Sequence, residues 1–111
     1  MDSVEKIVKP WGHELVFART RHYAGKILFI RKGASLSLQY HEQKEESIYL
    51  VKGRLKMTLG DHEFTLSPGQ NLHIPPKTRH RMRAIEESEV FEVSTPHLND
   101  VVRLQDEYGR V

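Results

Sequence analysis

From residue 14 to residue 94, apolar side chains recur in short runs, each closed after eight to ten positions by Gly, Pro, Asp or Ser. Glu14 to Arg19 (ELVFAR) and Ala24 to Arg31 (AGKILFIR) are dense in β-branched and aromatic residues and read as strands. Ser35 to His41, Glu46 to Lys52, Arg54 to Leu59, His62 to Leu66, Asn71 to Ile74, Arg79 to Ala84 and Glu89 to Ser94 bring the expected number to about nine. Lys52-Gly53 reads as a two-residue hairpin turn, Gly60-Asp61 as another tight turn, and Ser67-Pro68-Gly69-Gln70 as a turn with Pro second and Gly third. Pro10 and Gly12 argue against regular structure in residues 1–12, where Trp11 is expected to pack over an edge or end of the sheet. Asn99 is suited to N-cap a short C-terminal helix, Asp100 to Glu107, ended by Gly109. The pattern is that of an all-β antiparallel sandwich or barrel.

Ser35 to His41 alternates most cleanly, with Leu36, Leu38 and Tyr40 on one face and Ser35, Ser37, Gln39 and His41 on the other. Facing a dry core, the four polar groups would each lose about 1–3 kcal/mol, so a polar cavity is expected on that side. Leu36, Leu38 and Tyr40 then need cover from a second layer or another subunit, and a homodimer is the expected assembly. Gln39 and His41 lie about 6.5–7 Å apart along an extended chain and point the same way, so both can reach one ion. A short loop returns the chain to Glu46, whose carboxylate can arrive at the same spot.

With 111 residues the chain is one domain, residues 1–111, and it shows no repeat, linker or low-complexity tract. Seventeen basic residues, scattered along the chain, stand against 15 acidic ones, so the charge of +2 does not point to nucleic acid. No apolar run reaches the roughly 18 residues of a membrane span, and no signal-peptide core is evident, which makes the cytoplasm the expected location. Absence of cysteine removes disulfides and thiolate sites and leaves any metal to nitrogen and oxygen ligands.

Gly33, Gln39, His41, Glu46 and Gly53, followed by Gly69, Pro75, Lys77 and His80, resemble in order and spacing the two-part signature of the cupin superfamily. That family usually has His at the position of Gln39, Gly at that of Lys77 and Asn at that of Ala84. The resemblance implies a jelly-roll barrel with one divalent metal held by Gln39, His41, Glu46 and His80: Zn or Mn, with Fe, Co or Ni as alternatives. Within the cupins, the chain is most similar to mannose-6-phosphate isomerases, particularly the cupin domain at the C-terminal end of bifunctional isomerase/guanylyltransferase enzymes. The similarity is carried by Lys9-Pro10-Trp11-Gly12, Ser35 to Gln39 with His41 and Glu46, Ile74-Pro75 with His80-Arg81, Asp100 to Arg103, and Tyr108-Gly109-Arg110.

That resemblance implies a small-molecule substrate, a sugar or sugar phosphate, and aldose-ketose isomerisation. Lys26, Arg81, Arg83, Arg103 and Arg110 are candidates to hold a phosphate, and Ser37, Gln43 and His73 are further candidate substrate contacts. The general base is not identified. His13, His22, His62 and His97 fall in turns or at strand ends and read as surface residues. A metal-dependent dioxygenase and a non-enzymatic metal- or sugar-binding module remain the alternatives.

Overall fold

The computed structural model of the protein describes residues 4–111. Its strands are β1 (Glu5–Lys9), β2 (Gly12–Arg19), β3 (Ala24–Ile30), β4 (Leu38–Tyr40), β5 (Glu46–Leu59), β6 (His62–Leu66), β7 (Asn71–Ile74), β8 (His80–Ser94) and β9 (Val102–Gln105). All pairings are antiparallel, in the order β1-β2-β3-β8-β4-β9, with β5 pairing β8, β6 and β7. This curled sheet is a jelly roll, and no helix among the described residues is long and apolar enough to cross a membrane.

The ribbon of β5 and β8 determines the shape. Glu46 pairs with Ser94 at one end and Leu59 with His80 at the other. In a straight strand Glu46 and Leu59 would be about 43 Å apart, more than the longest dimension of the molecule, 37 Å. Yet Glu46 Oε1 lies 3.2 Å from His80 Nε2. The ribbon therefore curls until its two ends meet.

Lys52-Gly53 is where the bend is concentrated, and the expected hairpin turn is not there. β8 stays opposite β5 throughout, and the register shifts at Leu50/Lys52, Lys52/Arg54 and Arg54/Leu55 mark a bulge instead. Gly53 has φ +98°, and a Cβ there would lie 2.3 Å from Ser88 Oγ and 2.4 Å from the Glu87 carbonyl oxygen. Ser88 Oγ fills the space left, accepting from the Arg54 amide at 3.2 Å and donating to the Glu86 carbonyl at 2.8 Å.

The core inside the curl contains Leu28, Ile30, Ile48, Leu50, Leu55, Met57, Met82 and Val90, with Trp11 buried among them as expected. Other expectations are corrected. Residues 5–9 form β1, because Pro10 and Trp11 make a tight connection that pairs Lys9 with Gly12. Gly12 is needed there, since a Cβ would fall 1.9 Å from the Phe29 carbonyl oxygen. The expected helix from Asp100 to Glu107 is absent, and β9 occupies its middle, pairing Tyr40 with Val102 and Gln39 with Arg103. The open edge of β4 offers ladder hydrogen bonds to this segment, and tertiary pairing overrides local helix preference.

The face expected to be apolar and unpartnered also differs. Leu36 packs against the core, and Leu38 and Tyr40 are only partly exposed. Exposed apolar residues instead include Phe17, Tyr49, Val51, Phe91 and Val93. Phe91 pairs with Tyr49 on one side and Ile27 on the other, so the patch crosses β5, β8 and β3.

Gly53→Ala is expected to lower stability in urea denaturation by about 1–3 kcal/mol. Gly33 also has positive φ but nothing within 4 Å of a built Cβ, so Gly33→Ala is expected to lose less. Equal losses would show that close approach at the bulge contributes nothing.

Candidate metal centre

Three strands bring His41, Glu46 and His80 together: His41 directly follows β4, Glu46 opens β5 and His80 opens β8. All three are buried, and their ligand atoms lie within 4.8 Å of one another. Glu46 Oε1 is 3.2 Å from His80 Nε2 and 3.8 Å from His41 Nε2, and the imidazole centroids are 5.1 Å apart.

Backbone carbonyls orient both rings. His41 Nδ1 lies 2.5 Å from the Asp100 oxygen and His80 Nδ1 lies 2.9 Å from the Thr78 oxygen. Those carbonyls hold each ring with Nε2 turned toward Glu46, where it can ligate an ion or, without one, present an N–H to the carboxylate. The His41 carbonyl accepts from the Lys77 amide at 2.6 Å, and Lys77 holds φ 62°, the left-handed conformation for which the family pattern has Gly. Asp100 also anchors the loop between the ligands, its carboxylate accepting from the amides of Gln43, Glu42 and Lys44 at 2.7–3.0 Å. Those hydrogen bonds lower the Asp100 pKa to about 2.

His41 Nε2 and His80 Nε2 are buried without hydrogen-bond partners, and Glu46 Oε2 has only its ion pair with Lys44. Such atoms cost about 1–3 kcal/mol each when left unmade. Two imidazole nitrogens and a carboxylate suit a divalent ion such as Zn, Mn or Fe, so the residues fit the expected metal. Burial lowers the pKa of His41, which keeps it neutral and ready to ligate. Burial opposes ionisation of Glu46, but the His80 imidazole and Lys44 ammonium outweigh it and hold the carboxyl well below its usual range.

A polar cavity of about 90 Å³ opens beside this group, lined among others by Trp11, Glu14, Lys26, Ser37, Gln39, His41, Lys44, Glu92, Arg103 and Arg110. A water needs about 10–15 Å³ by this measure, so the cavity holds several waters or part of a small molecule. Gln39, expected as a fourth ligand, is on the cavity wall with its Oε1 accepting from Ser37 Oγ at 2.7 Å. One lone pair of that oxygen remains free. Lys26 is in the wall, 3.2 Å from Glu14, and Arg110 is there too, held by both Asp106 oxygens at 2.8 and 2.9 Å.

Three expected substrate contacts are elsewhere. His73 is exposed on β7 and pairs with Glu45 at 2.5 Å, because the face opposite Leu72 and Ile74 is the outer one. The Gln43 amide is bound by Asp100 and its side chain is exposed. Arg81 reaches outward to Gln105 Oε1 at 2.9 Å and does not line the cavity.

Lys44, Glu14 and Glu92 went unread in the sequence. Lys44 Nζ lies 3.0 Å from Glu46 Oε2, an ion pair off the line of a hydrogen bond, and donates to Glu92 Oε2 at 3.3 Å. The signal was parity: Lys44 is two residues before Glu46, and Glu92 alternates with Phe91 and Val93. In Lys44 burial disfavours the ammonium, but Glu92 and Glu46 outweigh it and raise its pKa. Burial, with the neighbouring Glu46 charge, raises the Glu92 pKa to about 7. Of the two carboxyls on Lys44, Glu46 thus ionises first.

Glu92 makes stability depend on pH. In the unfolded chain it loses its proton near 4.5, but in the fold only near 7, so its contribution declines as pH rises between these values and is flat above. Metal-free Glu92→Gln is therefore expected to gain stability relative to wild type, by about 1–3 kcal/mol between pH 4.5 and 7. Chemical denaturation at pH 5 and 7.5 checks it, and a pH-independent difference would contradict it.

Comparison with known proteins agrees with this fold. The cupin domain model matches residues 26–95. The xanthan biosynthesis protein XanB of Xanthomonas campestris pv. campestris (strain B100) is 32% identical over 95% of this chain and 24% of its own length. A mannose-1-phosphate guanylyltransferase of Escherichia coli is 26% identical over 95% of this chain and 23% of its own. This chain thus spans about a quarter of the curated relatives it matches. The solved structure of KdgF from Halomonas sp. superposes with a TM-score of 0.76 at 24% identity, covering 86% of this chain and 87% of that one, a likeness of fold. A domain match over most of the chain, on a jelly roll of the same shape, places this protein in the cupin family.

Proposed function

We propose that this cupin binds one divalent metal through His41, Glu46 and His80, with Gln39 as fourth ligand, and isomerises a sugar or sugar phosphate of the mannose 6-phosphate type. The observation that carries the reading is the pair of buried, unpartnered imidazole nitrogens of His41 and His80 turned toward the buried Glu46 carboxylate, beside a cavity with a polar wall. The relatives named for mannose-1-phosphate and xanthan chemistry support the substrate class. When bound, the ion would supply Lewis-acid stabilisation of the negative charge that develops on the substrate's carbonyl oxygen as the neighbouring carbon loses its proton.

The chain's own residues do the rest. Glu14 and Glu92 are the carboxyl groups of the cavity wall outside the metal set, and the proton acceptor between C1 and C2 is drawn from them. Lys26, Arg103 and Arg110 supply cations for an anionic substituent, and Ser37 supplies a hydroxyl. The buried apolar side chains of Leu28 and Met82 and the indole of Trp11 supply the apolar part of the wall, which limits the water around a bound substrate.

Elemental analysis is expected to find up to one divalent ion per chain, and none after His41→Ala with His80→Ala. Equal metal in both proteins would sink the assignment. Incubation with mannose 6-phosphate in heavy water is expected to place deuterium at C2, with Zn, Mn, Co, Fe and Ni tried in turn. The two-His, one-carboxylate set also suits oxygen-activating iron, so a dioxygenase is the second reading. Oxygen uptake without deuterium exchange would favour it, and absence of both with metal retained would favour a binding module.

A homodimer belongs to the same proposal, with the contact moved from the Leu36 face to the exposed patch of Phe17, Tyr49, Phe91 and Val93. Light scattering is expected to give twice the chain mass for wild type and the chain mass for Phe91→Glu. A wild-type monomer at micromolar concentration would refute it.

A further inference from the structure

Lys44 is unusual in being a buried lysine two residues from a metal ligand. It is 5% exposed and fixed at both ends. Its amide donates to Asp100 Oδ2 at 3.0 Å, and its ammonium sits between Glu46 Oε2 at 3.0 Å and Glu92 Oε2 at 3.3 Å. The two oxygens of Glu46 are thereby differentiated. Oε1 faces His80 Nε2 at 3.2 Å and His41 Nε2 at 3.8 Å, whereas Oε2 faces Lys44.

We propose that Lys44 is a positioning residue for the metal group: by occupying the Oε2 side of Glu46 it restricts that carboxylate to ligation through Oε1. The proposal rests on the reading of His41, Glu46 and His80 as ligands. A free carboxylate can swing to bind an ion through both oxygens, and a competing cation on one of them prevents it. The same ammonium repels a divalent ion, so Lys44 trades affinity for a fixed geometry. Glu92 holds the other side of the ammonium and keeps Lys44 from following Glu46 if that side chain rotates. A purely structural lysine, present only to neutralise buried carboxylates, would affect folding but leave the coordination of the ion unchanged.

Cobalt titration of the full chain separates these roles, because Co2+ absorbs less strongly in the visible as its coordination number rises. Lys44→Met, which removes the repelling ammonium, is expected to bind Co2+ about tenfold more tightly, with weakened bands as the second Glu46 oxygen joins the ion. Lys44→Arg, which returns a cation to Oε2, is expected to restore the wild-type spectrum. Wild-type bands left unchanged by Lys44→Met in a folded protein would overturn the role of Lys44 alone, as would weaker binding by that variant. A wild-type chain with no Co2+ bands would overturn the metal reading and this proposal with it. Should Lys44→Met not fold, difference infrared spectra of wild type on adding Zn2+ decide. A wide separation of the new carboxylate stretches supports a single bonded oxygen, and a narrow one overturns it.

Discussion

Glu46 and His80 are at opposite ends of a two-stranded ribbon, yet their side chains meet at 3.2 Å. The fold depends on that closure. The ribbon has to turn back on itself, and the bend is concentrated at Gly53, where Ser88 and the Glu87 carbonyl leave no room for a Cβ. Once the ends meet, Gln39 is beside His80 in the ladder, and β9 adds to the same edge. The seam of the barrel and the candidate metal centre are thus one place.

Bringing a carboxylate into that seam has an electrostatic consequence. An isolated buried carboxylate is costly, and such a group persists only when paired or ligated. Glu46 has an imidazole on one oxygen and the Lys44 ammonium on the other. Lys44 in turn needs a second acceptor, Glu92, whose strand neighbour Lys26 pairs with Glu14. Charge of alternating sign therefore runs from the ligand group along the cavity wall, which makes the cavity polar while Leu28, Ile48 and Val90 keep the adjacent core dry. Removing one member leaves its partners uncompensated, so the wall behaves as a unit.

The C-terminal segment belongs to the same arrangement. Asp100 fixes the loop from Glu42 to Lys44 with its carboxylate and the His41 ring with its carbonyl, while Arg103 and Arg110 extend the cavity wall. Its residues therefore set the orientation of the His41 ring as well as part of the cavity wall. A change at Asp100 acts on His41 through the loop even though the Asp100 side chain does not face the ion group.

Alternation and turn residues were enough to read β2, β3, β4, β6 and β7, because side-chain period and glycine φ are local properties, whereas β5 and β8 were each divided in two; the resemblance to the cupin signature pointed to His41, Glu46 and His80, which the fold brings together. Although Ser35 is buried away from the cavity with its hydroxyl unpartnered, burial of Trp11 and the polar cavity beside Ser37, Gln39 and His41 were likewise legible from local pattern. Lys52-Gly53 was not, because a glycine with positive φ serves a hairpin and a bulge equally, and only the partner strand decides between them. Val102 to Gln105 carried helix signals that lost to an open β4 edge, a partner more than sixty residues away in sequence. Which face of β7 looks outward, and so the exclusion of His73, followed from the direction of curl. Lys44 and Glu92 show the same limit most clearly: charged residues in a loop and a strand look solvated until tertiary structure buries them against each other. The sequence alone determined most of the strand pattern and the residue types of the candidate site, which depend on near neighbours. Closure, the charged wall and the choice of outer face depend on contacts between distant segments, and those were settled only when the ribbon curled.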